Sequence, residues 1–573
     1  MQPRVGPRFV TVICSEELGL PTGSLAELDN QLRQLPRQPV LVRCVSLLNA
    51  LSADRTNHFR ELNASYIEAM AAMGVQVGRL KDELKERDSV FLEPFQVLSL
   101  LRRAMAVCPE STDLDPNSVP GLQVLFNALR FAADVSRVKE VPSSPRGTTE
   151  RWLEVAAGLM PRLWLGEQPN VNLVLARTRI MLRAAESDPK LAPKVAKLKS
   201  RMLGAVGLSF DDVTTLAMFV SYWSGVRKLS DIFSNPTSIM FNPETFLAKT
   251  TISKAALESF LTRTARVWSD VIADSEIGGP IGHLPFRDRP FLRFRNGTVA
   301  AIMPELVAEK LSGDIFWWLK DPDVDQQDMW QADWGQISEE YILRVLQRIA
   351  TGSHASLFPR IQLRTGEIDA AVCFKRHLAL VEITTSRIGD PAANSGDTNV
   401  LRQALKRTFV GRERLGQEPY REAVLQLARD IDSVLTDRVS QIPLPNTDIQ
   451  RLYPIMIATD KRVRTPGVWQ LLDAELREAL KAEHATKVAA LVVLSVEDLE
   501  EMDQAVRDRP LAMAGSPPGV FKLLRRWDFD RGVAPSWWQF IQPLYPSYRR
   551  NSFLDDEAKG FGSEIEDKFW DKS

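Results

Sequence analysis

"TGEIDAAVCFKRHLALVEITTSR" (365–387) places Asp369 and Glu382 inside two otherwise apolar runs, GEIDAAVCF and HLALVEITT, that are separated by Lys375-Arg376. Both runs alternate with a period of two and are rich in strand-forming residues, so they predict an antiparallel hairpin. Opposed residues then sum to 751, which sets Asp369 against Glu382 and Glu367 against Thr384 on one face. Ile368, Ala370, Val372, Val381 and Ile383 fall on the other face. Two directly opposed carboxylates repel. Three things can compensate: a proton on one of them, a basic side chain between them, or a divalent cation held by hard oxygen ligands. The Lys375-Arg376 turn lacks the Asn-Gly chemistry of the tightest hairpins, so a bulged loop could shift this register.

The rest of the chain says what kind of protein carries the hairpin. Its 573 residues exceed what a single core usually holds, and 44% hydrophobic with 25% charged residues is ordinary globular composition. No run approaches the ~18–20 apolar residues of a membrane span, and the N-terminal apolar stretch is too short for a secretory segment. The expectation is a cytoplasmic protein with no membrane partner. Four scattered cysteines and five unpaired histidines suggest neither disulfides nor structural zinc, so a catalytic metal would need carboxylate ligands, as Mg²⁺ or Mn²⁺ does. "DPDVDQQD" starts like a calcium loop at Asp321, Asp323 and Asp325, but Gln326 and Ala332 stand where Gly and Glu are required. No P-loop, GxSxG or strand-borne GxGxxG is present.

Residues 1–140 read as a helical N-terminal domain and 141–280 as a second helical segment. An aromatic-rich connector follows (281–335), then an α/β unit (336–552) and an acidic flexible tail (553–573). Within the α/β unit the order is helix, three strands, helix, strand, helix, strand, with Ser338 as N-cap of the first helix. Net charge is −1. Nucleic-acid contact would therefore fall to local basic stretches, 189–201, 401–421 and 521–527.

This order, with "EID" on the second strand and "VEIT" on the third, resembles the PD-(D/E)xK nuclease superfamily. The resemblance implies an α/β restriction-endonuclease-like domain, a mixed sheet flanked by helices, behind a large mainly helical N-terminal region. It implies Asp369 and Glu382 as metal ligands and catalytic residues. Glu339 of "GQISEEY" matches the additional helix glutamate; it shares a face with Ile342 and Leu346, whereas Glu340 is spaced to pair with Arg344. Gln403 of "LRQALKR" is similar to a glutamine that orients substrate or metal-bound water. Thr384 stands where the family has its lysine. Lys406, three residues after Gln403, is the expected substitute cation, with Arg387 next.

The function implied is Mg²⁺-dependent cleavage of phosphodiester bonds, in DNA rather than RNA, by a bacterial genome-defence or DNA-processing effector. The helical half would then receive a protein partner or trigger. The alternative is an inactive nuclease-fold module that binds nucleic acid or serves as a scaffold.

Overall fold

The structure is a computed structural model. It describes residues 11–53, 60–86, 89–136, 149–166, 171–225, 235–270, 272, 284–311, 330–364, 366–412, 420–437, 439–508, 519–530, 536–541 and 551–569. The stretch around Asp321 lies outside these residues, as do most of the two expected linkers.

Among the described residues, six helices between Leu25 and Val135 are held by one apolar cluster, with Leu48, Leu98, Leu101 and Leu129 fully buried in it. Their starts follow capping chemistry: Ser24 and Glu27 form a capping box, and Ser118 accepts from the Gly121 N–H. A second cluster joins the middle helices to the α/β unit. Leu175, Val195 and Leu216 belong to the same cluster as Ile368 and Met456. Among the described residues the second helical segment therefore shares a core with the sheet. Ile239 and Ile272 of the same segment pack instead in the first cluster.

The two cores are tied by what the sequence suggests is only a connector. Ala265–Val267, Phe291–Arg293 and Val299–Ala301 form a three-stranded sheet. Leu292 and Ala300 enter the first core, and Phe291, Val299 and Ala301 the second. The period-two alternation of short strands puts one face into each body.

The α/β unit is built on a five-stranded mixed sheet, β1 (Ser356–Leu363), β2 (Gly366–Phe374), β3 (His377–Thr384), β4 (Arg451–Ala458) and β5 (Val492–Ser495). Their order across the sheet is β5-β4-β3-β2-β1. β1, β2 and β3 are antiparallel neighbours, whereas β3, β4 and β5 run parallel. The flanking helices used below are α1 (Val171–Glu186), α2 (Trp330–Gly352), α3 (Thr398–Leu405), α4 (Ala423–Thr436), α5 (Val468–Ala479), α6 (Val496–Asp508) and α7 (Ser552–Phe569). Among the described residues no single helix is long and apolar enough to cross a membrane.

Three expectations are corrected. α2 starts at Trp330, eight residues before Ser338, because Trp334 and Ile337 extend its apolar stripe toward Tyr341; Ser338 lies buried inside the helix. The sequence predicts one helix between β3 and β4; among the described residues the helix that packs on β2, β3 and β4 is instead α4, further along the same connection. The acidic C-terminal stretch is no flexible tail. Leu554, Ala558, Phe561 and Ile565 recur at helical spacing and pack α7 onto α1, with the Arg179 guanidinium 3.8 Å from the Phe561 ring centre. Phe561→Ala should therefore cost about 3–5 kcal/mol of unfolding free energy in a urea titration. A free tail would leave the midpoint unchanged.

Candidate active site

The hairpin register is the one the sequence predicts. Phe374 pairs with His377 and Ala370 with Val381, and Lys375 takes the positive-φ position of the two-residue turn (φ 53). The ladder between β2 and β3 ends at Ala370–Val381. Beyond that pair β2 stays with β1 as far as Gly366, while β3 stays with β4 as far as Thr384. The sheet forks, and Asp369 and Glu382 are the first residues past the split.

A side chain takes over where the ladder stops. Asp369 Oδ2 accepts a hydrogen bond from the Ile383 N–H at 2.6 Å, which fixes the carboxyl at the mouth of the fork. On its other side the pairing with β1 is interrupted as well. Pro359 opposes Ala370 and Ile361 opposes Ile368, but Arg360 and Asp369 between them form no ladder pair, and Arg360 has φ 51. A non-glycine residue in that region carries strain of order 1–3 kcal/mol, and such residues cluster at functional sites.

Burial sets the electrostatics. Glu382 is 6% exposed, and its Oε2 is buried without a hydrogen-bond partner. Burial pushes its pKa well above the carboxylate range, reinforced by the charge of Asp369. Asp369 is raised to about 7, chiefly by burial, against which the Ile383 N–H works; Glu339, Glu367 and Asp430 raise it further.

Glu339 approaches the fork from α2, held by the Arg360 Nε at 3.1 Å. Glu340 pairs with Arg344 at 3.2 Å, as its spacing predicts. Thr384 is buried, and its Oγ1 accepts from the Ser386 N–H at 3.1 Å, so the hydroxyl helps turn the chain out of β3.

The expected cations lie elsewhere. Lys406 starts a π-helical turn (Lys406–Val410) after α3, and its Nζ pairs with Glu475 of α5 at 2.7 Å. Gln403 is exposed on α3, and neither it nor Lys406 hydrogen-bonds Asp369 or Glu382. Three-residue spacing puts both side chains on one helix face, but that face looks to solvent and α5. Arg387 lies past the end of β3, where its charge acts on Asp460.

The cation that does reach the fork comes from α4. Asp430 is fully buried and raises both carboxyls, and Arg429 lowers the pKa of Glu382. Arg429 donates from Nε to Asp430 Oδ1 at 3.0 Å, and its Nη2 lies 2.8 Å from where a Cβ on Gly366 would stand. Gly366 itself has φ 151, a backbone conformation that favours glycine. Gln426 docks the same helix by donating to the Glu367 carbonyl at 3.2 Å. The sequence carried a signal for these residues: in "EAVLQLARDIDSVL" the apolar stripe Val424, Leu427, Ile431, Val434 is helical, and Asp430 lies on its buried side.

Compared with protein-family models, with curated proteins and with solved structures, the chain matches none. The reading of the fork therefore rests on its own geometry.

A raised carboxyl pKa means that the folded protein holds a proton which the unfolded chain has released. In metal-free protein the Asp369 contribution therefore costs stability progressively between about pH 4 and about pH 7 and stays unfavourable above. Melting in chelator should show a lower Tm at pH 8 than at pH 5. Asp369→Asn should flatten that difference, with the gain at pH 8 bounded near 4 kcal/mol at about 1.4 kcal/mol per tenfold change in proton affinity. Equal pH slopes for the two proteins would count against the buried ionised pair.

Proposed function

We propose that the chain is a metal-dependent nuclease of the PD-(D/E)xK type, with a restriction-endonuclease-like sheet and its catalytic centre at the β2–β3 fork. The observation that carries this reading is the fork itself, where Asp369 is fixed by a backbone N–H and Glu382 presents a buried, unpartnered oxygen beside it. Holding two like charges there is costly unless a cation offsets them.

The donor set fits a hard divalent ion. Among the described residues no three acidic, histidine or cysteine side chains converge closely enough to hold an ion by themselves. Mg²⁺ is commonly bound by one or two carboxylates, the remaining positions being filled by water and phosphate oxygens. Asp369 and Glu382 would supply the carboxylates, with Glu339 at the edge. Bound there, Mg²⁺ or Mn²⁺ supplies Lewis-acid polarisation of a phosphoryl oxygen and a more acidic water.

The protein's own groups do the rest. The Ile383 N–H keeps Asp369 aimed into the fork, and Arg360 keeps Glu339 from swinging away. Thr384 cannot provide the positive charge that stabilises a developing pentavalent phosphate. Arg429, brought over Gly366, supplies it in a form suited to phosphate oxygens. DNA as the substrate, and a trigger sensed by the helical half, complete the reading.

One observation favours the non-catalytic alternative: the Thr384 hydroxyl is spent on the Ser386 N–H instead of facing a substrate. A single set of assays separates the two. Plasmid, linear single-stranded DNA and RNA are incubated with purified protein in Mg²⁺, Mn²⁺ or EDTA. DNA should be cut with metal and left intact in EDTA, and Asp369→Ala and Glu382→Ala should be inactive. Arg429→Ala should lose roughly 10²–10³ in rate, the usual cost of removing a group that stabilises transition-state charge. Lys406→Ala, whose ammonium pairs with Glu475, should cut at the wild-type rate. If no metal supports cleavage by the wild type, the nucleic-acid-binding scaffold is the correct reading.

A further inference from the structure

A basic surface lies at the end of the sheet away from the fork. The hairpin turn sets Lys375 and Arg376 there, and β4 begins beside them, since the Gln450 N–H donates to the Arg376 carbonyl. The segment before β5 runs alongside: the Leu452 N–H donates to the Lys487 carbonyl, and Arg451 donates to that of Thr486. A helix over Gly519–Asp530 closes this end, with the Phe521 ring against Phe374, His377 and Tyr453. Phe374 and His377 fall on the sheet face opposite Asp369 and Glu382, by the alternation of β2 and β3. Lys375 stands six residues from Asp369 along the strand, a span of about 20 Å at ~3.4 Å per residue.

The helix sorts its residues by face. Val520, Phe521, Leu523, Leu524 and Trp527 are buried, so Lys522, Arg525, Arg526 and Phe529, at three- and four-residue spacing, share the outward stripe. Phe529 is 85% exposed, an aromatic ring open to solvent one turn beyond two exposed arginines. The charge of Arg525 is felt by His377 and Tyr453, which places it over the start of the sheet. Over 375–376, 448–451, 486–487 and 519–530 the chain carries seven cations and three carboxylates, and Lys481 and Glu483 just before the third of these cancel. Arg451 and Asp528 pair with each other. That leaves Lys375, Arg376, Lys487, Lys522, Arg525 and Arg526 against Asp448 and Asp530. Among the described residues Lys375, Arg376, Lys487, Lys522 and Arg525 form no ion pair; Arg376 Nε donates to the neutral carbonyl of Asp448 at 3.1 Å.

We infer that this surface binds single-stranded nucleic acid, its cations following the phosphates and Phe529 stacking on an unpaired base. Proteins that hold single strands join a positively charged track to aromatic side chains on which bases stack. A duplex keeps its bases in its own stack, so it can use the cations but not the ring. A single strand uses both. The surface extends the nuclease reading by giving the chain a hold on its substrate away from the fork. It uses none of the fork's residues, so binding here and cleavage there are measured separately.

The test uses the full chain in EDTA, with labelled oligothymidylate, oligouridylate, a DNA duplex of the same length and phosphatidylserine vesicles as probes. Fluorescence anisotropy should show tighter binding of a single strand than of the duplex, and the vesicles should not compete. The tighter of the two single strands tells whether DNA or RNA is the source. Phe529→Ala should weaken single-strand binding roughly fivefold or more and leave duplex binding unchanged. Lys522→Gln combined with Arg525→Gln should lower the slope of log affinity against log salt by about 1.4, at ~0.7 per phosphate contact on a single strand. Arg263→Gln, which removes an exposed cation of the helical half, should bind as the wild type does. All four substituted side chains lie outside the core, so melting should give the wild-type Tm for each variant. Preference for the duplex, competition by vesicles, an unchanged salt slope, or unchanged single-strand binding by Phe529→Ala overturns the inference, whether or not the protein cuts DNA in Mg²⁺.

Discussion

The Asp369 carboxyl accepts the Ile383 N–H at the point where β2 and β3 part. A backbone donor at the end of a buried ladder must be satisfied, and here a side chain does it, so the strands can diverge without an orphaned amide. The fork that results puts Glu382 beside Asp369 with one oxygen unpartnered, and both carboxyls are held well above their usual pKa range. Replacing the ladder bond with a carboxylate leaves two acids where a regular hairpin would have had two apolar residues.

Such a site needs rigid support, and the surrounding elements provide it from three directions. β1 contributes Arg360 in a strained conformation opposite Asp369, α2 contributes Glu339, and α4 contributes Asp430 and Arg429. Gly366 holds a positive φ beside them, with the tip of Arg429 close against it. The helical half is joined to the same body, through the core it shares with the sheet and through the three-stranded sheet with one face in each core. An event at the helices and an event at the fork therefore act on one packed unit.

Much of the site was legible in sequence because the hairpin is local. Alternation and a two-residue turn determine which residues oppose each other, so Asp369 and Glu382 could be matched without a structure. The same holds for Glu340 and Arg344, four residues apart on one helix. The failures share a cause. Lys406 was matched to Gln403 by spacing, but spacing gives a helix face and not what the face meets, and it meets α5. The tail was read as mobile from its acidity, although its apolar residues at 554, 558, 561 and 565 already had helical spacing.

The sequence by itself determined the register of the β2–β3 hairpin, the succession of strands along the α/β unit and the identity of the two neighbouring acids, since these follow from period and turn length. Tertiary structure alone decided where the ladder ends, which cation reaches Glu382 and that the strand ends meet a buried network of ion pairs. Those depend on how α4, α1 and α2 dock, and docking is set by the complementarity of surfaces far apart in the chain. Arg429 is 47 residues from Glu382, and Arg177 of α1 lies 320 residues from Glu497, with which it pairs. No local pattern links either pair; packing does.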